Sequence, residues 1–208
     1  MLQLFFTRHG ETEWNAEGRL QGRLNSNLTE KGISDAKLLG KKLESVDFEM
    51  VLASPSLRTL DTAKLIIGSR TLPLKTDERI MEIDLGDWQG RTTEEIKVEL
   101  PELYELYRYH PSQFQGTGEN FQDVKERLEA VLQDLERTYQ SGNILVVTHG
   151  VVIKVLQMLC KSNPLDMLWE PPYIEGTSLT IVKIENGRRE LLLEGDISHK
   201  NSEVLLED

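Results

Sequence analysis

The chain predicts an α/β fold, a mostly parallel sheet with helices on both faces and an antiparallel hairpin at one edge. Short apolar runs rich in β-branched and aromatic residues alternate with longer segments of helical periodicity. Two of these runs, residues 2–6 and 144–147, end in nearly the same way, on Thr7-Arg8-His9-Gly10 and on Thr148-His149-Gly150. Near the C-terminus, residues 179–184 and 190–193 flank Asn186-Gly187, which supplies the positive φ angles of a tight hairpin turn.

The elements follow in order. The first strand leads into His9, and a polar loop over 11–27 follows it. Thr29 is the N-cap of a helix running to about Val46, with Ile33, Ala36, Leu39 and Leu43 on one face. Met50–Ala53 reads as the second strand. Ser54-Pro55-Ser56 ends it, with Ser56 capping a helix over Leu57–Ile67. A third strand is expected at 72–75, and an acidic, glycine-interrupted loop at 77–92. Residues 93–121 mix helix and loop and gather Tyr104, Tyr107, Tyr109 and Phe114. Phe121, Val124, Leu128, Leu132, Leu135 and Tyr139 recur at helical steps, and Gly142 is expected to stop that helix. The strand to His149 comes next. A nearly wholly apolar helix over 151–159 then has to be buried on most sides. The tail after His199 is polar and reads as disordered.

With 208 residues the chain predicts one domain, 1–208. A chain of this size buries roughly 70% of its unfolded surface, so it needs neither disulfides nor a structural metal. Cys160 is the only cysteine and lies in an apolar stretch, which makes it a small core residue. The first strand begins at once, with no signal peptide before it, and no apolar run approaches the ~20 residues that span a bilayer. A cytoplasmic protein is expected. The net charge of −11, from 35 acidic and 24 basic residues, argues against nucleic acid or an anionic membrane as partner. An anionic ligand would need positive charge gathered in one pocket, for which Arg8, Arg19, Arg23 and Arg58 are candidates.

Several chemistries are missing from the sequence. There is no phosphate-cradling Gly-rich loop, no His-Glu-x-x-His helix, no Asp-x-Asp pair and no arginine spaced to serve a thiolate at Cys160. An imidazole nucleophile remains. Of four histidines, His9 and His149 sit at strand ends, the edge of an open α/β sheet where ligands bind. Neutral imidazole attacks well when one nitrogen is free and the other donates a fixing hydrogen bond. Arg8 should keep His9 neutral by like-charge repulsion, and its planar fork matches a phosphoryl group. Gly10 lets the backbone turn sharply there.

Arg8-His9-Gly10-Glu11-Thr12 followed by Trp14-Asn15 resembles the signature of the histidine phosphatase superfamily, also called phosphoglycerate mutase-like. The resemblance continues through Arg19, Gln21-Gly22, Leu28-Thr29-x-x-Gly32 and Ser54-Pro55-x-x-Arg58-x-x-x-Thr62-Ala63. It then takes in Glu82-x-x-x-Gly86-x-Trp88-x-Gly90, Gly118-Glu119 and Val147-Thr148-His149-Gly150, covering nearly the whole chain in order.

The resemblance implies a three-layer α/β/α sandwich with a helical lid inserted at about 94–121, and a histidine that is transiently phosphorylated. His9 would accept the phosphoryl group. Arg8, Arg58 and His149 would clamp its oxygens, with Asn15, Gln21 and Gly150 completing the phosphate-binding set. Glu82 would protonate the leaving alcohol and later activate water. No metal and no cofactor are implied. The partners would be small phosphorylated substrates, and a homodimer is compatible with the pattern. Arg58 falls in the first turn of its helix, where the dipole favours an anion. Trp88 reads as packing.

The same pocket serves mutases, which return the phosphoryl group to a bound substrate. Cofactor-dependent mutases carry Glu-Arg-His-Tyr around the acid, whereas here Glu82 is followed by Ile83-Asp84-Leu85-Gly86, which favours hydrolysis. The closest resemblance is to the broad-specificity phosphatases. Arg23, Asn25, Asn27 and Asn120 depart from the usual pattern.

Overall fold

In the computed structural model, which describes residues 1–205, six strands form one sheet. They are β1 (Leu2–Arg8), β2 (Met50–Ala53), β3 (Leu74–Thr76), β4 (Gly142–Thr148), β5 (Leu179–Glu185) and β6 (Arg188–Asp196), in the order β3-β2-β4-β1-β5-β6. The first four are mutually parallel, and β5 and β6 run antiparallel at one edge. The expected hairpin is present. Asn186 and Gly187 join β5 to β6 with φ of 53° and 73°, the left-handed pair that matches strand twist.

Among the described residues there are seven α-helices, α1 (Glu13–Ala16), α2 (Glu30–Lys42), α3 (Leu57–Ile67), α4 (Thr93–Glu99), α5 (Pro101–Tyr109), α6 (Phe121–Thr138) and α7 (Gly150–Lys161). Alternation along β1 and β4 divides the core in two. Leu4, Phe6, Ile144 and Val146 face the α6 and α7 side, with Leu128, Val152 and Leu156. Phe5, Leu145 and Val147 face the α2 and α3 side, with Leu39, Ala63 and Ile66. Central strands covered on both faces have no polar side, which explains their largely apolar sequence, broken in β1 by Gln3. The expected layering of helix, sheet and helix results.

Several boundaries differ from expectation. The polar loop contains α1, because Thr12 and Asn15 form a reciprocal cap. Helix α2 ends at Lys42, short of residue 46. Strand β3 pairs at 74–76, not 72–75. Two 3₁₀ turns, Glu78–Ile80 and Gly86–Trp88, order the acidic stretch. Gly142 does not stop α6, which ends at Thr138. It opens β4 with φ of 103°. Ser56 precedes α3 but makes no capping hydrogen bond, because its Oγ lies 3.3 Å from Ser54 Oγ instead. Of the tail expected to be disordered, Ser198–Leu205 forms 3₁₀ turns, with Lys200 3.1 Å from Glu175. Residues 206–208 lie outside the described residues.

Gly10 proves necessary for a reason other than a sharp turn. A Cβ there would stand 2.6 Å from the Gly32 carbonyl oxygen, and a Cβ on Gly32 would stand 2.2 Å from that of Glu11. The exit of β1 therefore lies against the first turn of α2, backbone on backbone. Gly32→Ala is expected to cost about 1–3 kcal/mol, since neither neighbour is a side chain that could swing aside. A urea midpoint that does not fall would refute this packing argument.

Candidate active site

Parallel pairing places Arg8 opposite Thr148, so His9 and His149 leave adjacent strands side by side. The His9 amide donates to the Thr148 carbonyl at 2.9 Å, and the two rings lie 5.4 Å apart between centroids. His9 Nδ1 is 2.8 Å from the Gly10 carbonyl. A carbonyl only accepts, so Nδ1 carries the proton and Nε2 keeps its lone pair. The pKa of His9 falls well below the ordinary value. Burial is the largest cause, with Arg8 and then Arg58 adding to it, so the expected effect of Arg8 is real but secondary.

His149 is wholly buried. Its Nδ1 is 3.1 Å from Arg58 Nη2 and its Nε2 is 2.8 Å from Ser54 Oγ. A guanidinium only donates, so Nδ1 accepts from Arg58, and Nε2–H donates to Ser54. Both nitrogens thus have protein partners. Burial first, and the charge of Arg58 second, hold this ring neutral.

Arg58 stands at the start of α3 with 1% of its surface exposed. Nη1 donates to the Leu24 carbonyl at 2.5 Å and to Asn25 Oδ1 at 3.0 Å. Nη2 donates to the Gly22 carbonyl at 2.7 Å and to His149. Its Nε–H is buried and has no hydrogen-bond partner among the described residues. Burial lowers its pKa to about 10, which leaves it charged at neutral pH. Arg8 shows the same arrangement. Nη1 donates to the Ile174 carbonyl at 2.8 Å, while Nε is buried and unpartnered among the described residues. An unpaired buried donor costs about 1–3 kcal/mol, more on a charged group, and here two such donors flank one imidazole.

Glu82 accepts from the amides of Ile83 (3.1 Å) and Val151 (3.3 Å). Burial raises its carboxyl pKa despite these donors and the two arginines. Asn15 Oδ1 is taken by the backbone and hydroxyl of Thr12. Gln21 donates from Nε2 to Thr12 Oγ1 at 2.7 Å and accepts from Ser26. Gly150 opens α7 beside Arg8, and a Cβ there would lie 3.7 Å from Arg8 Nε.

Arg8, His9, Asn15, Gln21, Arg58, Glu82 and Gly150 all line one cavity of about 710 Å³, and His149 supports Arg58 from behind. Of the other arginines, Arg19 reaches the wall but is bound to Glu17 and to the Gly90 carbonyl. Arg23 pairs with Glu119 at 3.0 Å, away from the cavity. Of the clustered aromatics only Tyr107 reaches the cavity. Phe114 is 2% exposed against Trp88, as the packing reading of Trp88 expects. Among the described residues no group of three or more His, Cys, Asp or Glu is placed to hold a metal.

Sequence reasoning missed Ser54 as partner of His149, and Trp169, Tyr173, Arg108 and Lys154 as wall residues. Lys154 had a signal. It stands one helical turn after Gly150 in a helix whose other polar side chains are Gln157 and Lys161.

The profile of the histidine phosphatase superfamily (branch 1) matches residues 4–197. The chain belongs to this superfamily. Phosphoserine phosphatase 1 of Hydrogenobacter thermophilus is 31% identical over all of this chain and 98% of its own length. A probable phosphoglycerate mutase of Salmonella arizonae is 28% identical over 99% and 98%. The structure of Bacillus stearothermophilus YhfR superposes with a TM-score of 0.91 at 45% identity, covering 96% of this chain and 99% of that one. Among the described residues of this histidine phosphatase, no helix is long and apolar enough to cross a membrane. Cys160 packs against the core, with burial pushing its thiol up to about 11, so it is no nucleophile.

Proposed function

We propose that the protein hydrolyses phosphomonoesters through a phosphohistidine on His9. The observation that carries this is the pair of buried, unpartnered Nε–H donors on Arg8 and Arg58 beside an imidazole whose Nε2 keeps its lone pair. Two fixed cations serve a phosphoryl group whose oxygens gain charge in the transition state. His9 Nε2 attacks phosphorus, the bond to the alcohol oxygen breaks, and Glu82 gives that oxygen its proton. Water then attacks the phosphohistidine. Glu82 takes up its proton, inorganic phosphate leaves and His9 is restored.

His149 acts through Arg58, whose fork it holds, and Ser54 fixes its tautomer. Asn15 Nδ2 and the Gly150 end of α7 add neutral donors. Gln21 reaches the same cavity while holding Thr12. Residues 94–121, in one domain with the rest, would serve as the lid, with Tyr107 and Arg108 on the cavity wall. Beyond the charged floor the wall is largely apolar, with Leu20, Leu85 and Trp169, which suits loose specificity toward small phosphorylated metabolites. Ile83 and Leu85 follow the acid and line the cavity, in place of the Arg-His-Tyr that mutases carry after it, which supports hydrolysis. A phosphoglycerate assay separates the two readings, and interconversion without phosphate release would overturn this one. The lone cysteine fits a cytoplasmic setting.

The role of Glu82 predicts a leaving-group dependence. Glu82→Gln should slow alkyl phosphates about 10²–10⁴-fold. It should slow p-nitrophenyl phosphate far less, because nitrophenolate leaves without a proton. As the acid works protonated and its pKa is raised, alkyl ester turnover should fall as pH rises through that pKa. Equal losses on both esters would remove Glu82 from the acid role.

A further inference from the structure

The outer wall of the cavity includes Pro171, Pro172, Tyr173 and Ile174. Two successive prolines offer no N–H, so what holds this stretch has to reach its carbonyls. Two cations do so. Lys154 Nζ donates to the carbonyls of Glu170 and Pro172, the latter at 3.2 Å, and Arg8 Nη1 donates to that of Ile174 at 2.8 Å. The third donor of Lys154 goes to Gln157 Oε1 at 3.3 Å. All three N–H groups of the ammonium are therefore in use, and Lys154 is 7% exposed. Among the described residues it pairs with no carboxylate, so it is not an ordinary ion-pair partner, and it has no donor left for a substrate anion.

Building on the phosphatase reading, we propose that Lys154 is a positioning residue that sets which alcohols the enzyme accepts. It ties the 170–172 wall to α7, the helix whose N-terminal Gly150 and Val151 border the phosphate floor. Substrate contacts on Tyr173 and on Trp169, just before the tied carbonyls, thereby keep a fixed distance from His9. Loosening the tie weakens binding of the alcohol part while leaving the floor intact.

The charge of the tie also titrates. Burial is the main cause that lowers the Lys154 pKa to about 8. Lys161 and Arg108 lower it further, and Glu194 and Glu170 oppose them. A neutral amine has two N–H groups for three acceptors. The wall should thus lose one tie as pH rises through about 8.

The test compares wild type, Lys154→Met and Lys154→Arg with two probes. The KM for p-nitrophenyl phosphate reads floor and wall together, and the inhibition constant of inorganic phosphate reads the floor alone. Lys154→Met is expected to raise the KM about tenfold with kcat within a factor of about three, as for lost uniform binding, and to leave phosphate inhibition as in wild type. Lys154→Arg should recover part of the KM and abolish its rise above pH 8. An unchanged KM in Lys154→Met, or an alkaline KM rise that persists in Lys154→Arg, overturns the proposal. So does a parallel loss of phosphate inhibition, which would mark general collapse of the site. Failure of the phosphatase reading looks different, because the wild type would then show neither turnover nor phosphate inhibition.

Discussion

His9→Ala is expected to abolish phosphatase turnover, with a loss on the order of 10⁴–10⁶, as for other removed nucleophiles. The size follows from the absence of a substitute. His149 has both nitrogens bonded to Arg58 and Ser54, and Cys160 holds its proton up to about pH 11. Acid–quench trapping supplies the second readout. Wild type should yield a phosphoenzyme that is labile to acid and stable to base, and His9→Ala should yield none. The variant should still bind inorganic phosphate, since the buried donors on Arg8 and Arg58 remain. Turnover unchanged in His9→Ala would make the cavity a binding site and end the covalent mechanism.

Arg58→Ala should cost about 10²–10³ in rate, the scale for removing one preorganised charge stabiliser. It should also cost stability, about 1–3 kcal/mol, because the buried carbonyl of Gly22 and the Nδ1 of His149 lose their donor. The two losses separate in Arg58→Lys. One ammonium restores charge but cannot reach four acceptors fanned out by a planar fork, so it should recover little of the rate. Full activity in Arg58→Lys would show that charge alone suffices and that the fixed fork is dispensable. Calorimetric melting of the same variants checks the stability arm.

The comparison with the sequence is uneven for physical reasons. Strands β1, β2 and β4 were legible because burial on both faces leaves a largely apolar run. Helix α2 was legible from its Thr29 cap and its periodicity, and α6 from periodicity alone. Asn120, which stands where serine is usual in the superfamily, caps α6 through the amides of Gln122 and Asp123. Asn25 departs from the pattern too, and it is a direct support of Arg58. Short elements escaped. Helix α1 spans four residues and rests on a Thr–Asn cap, and β3, expected at 72–75, has three exposed residues with no alternation to fix its bounds. Of the residues that line the cavity, those on the ordered motifs stood out in the sequence, and those of the wall from 169–174 did not. These wall residues are recruited by carbonyl contacts to Lys154 and Arg8, which leave no spacing in the sequence.

The side-by-side exit of β1 and β4 has a consequence for how the pair of imidazoles is calibrated. The backbone positions from which they project are set by the pitch between neighbouring strands, about 4.8 Å in any sheet, while Gly10, Arg58 and Ser54 orient the rings. A ruler made of backbone hydrogen bonds does not stretch when a core methyl is lost. Nor can it be read at all once those two strands part. The backbone spacing of the histidines is thus tolerant of change almost everywhere in the chain, and it vanishes only with the sheet itself.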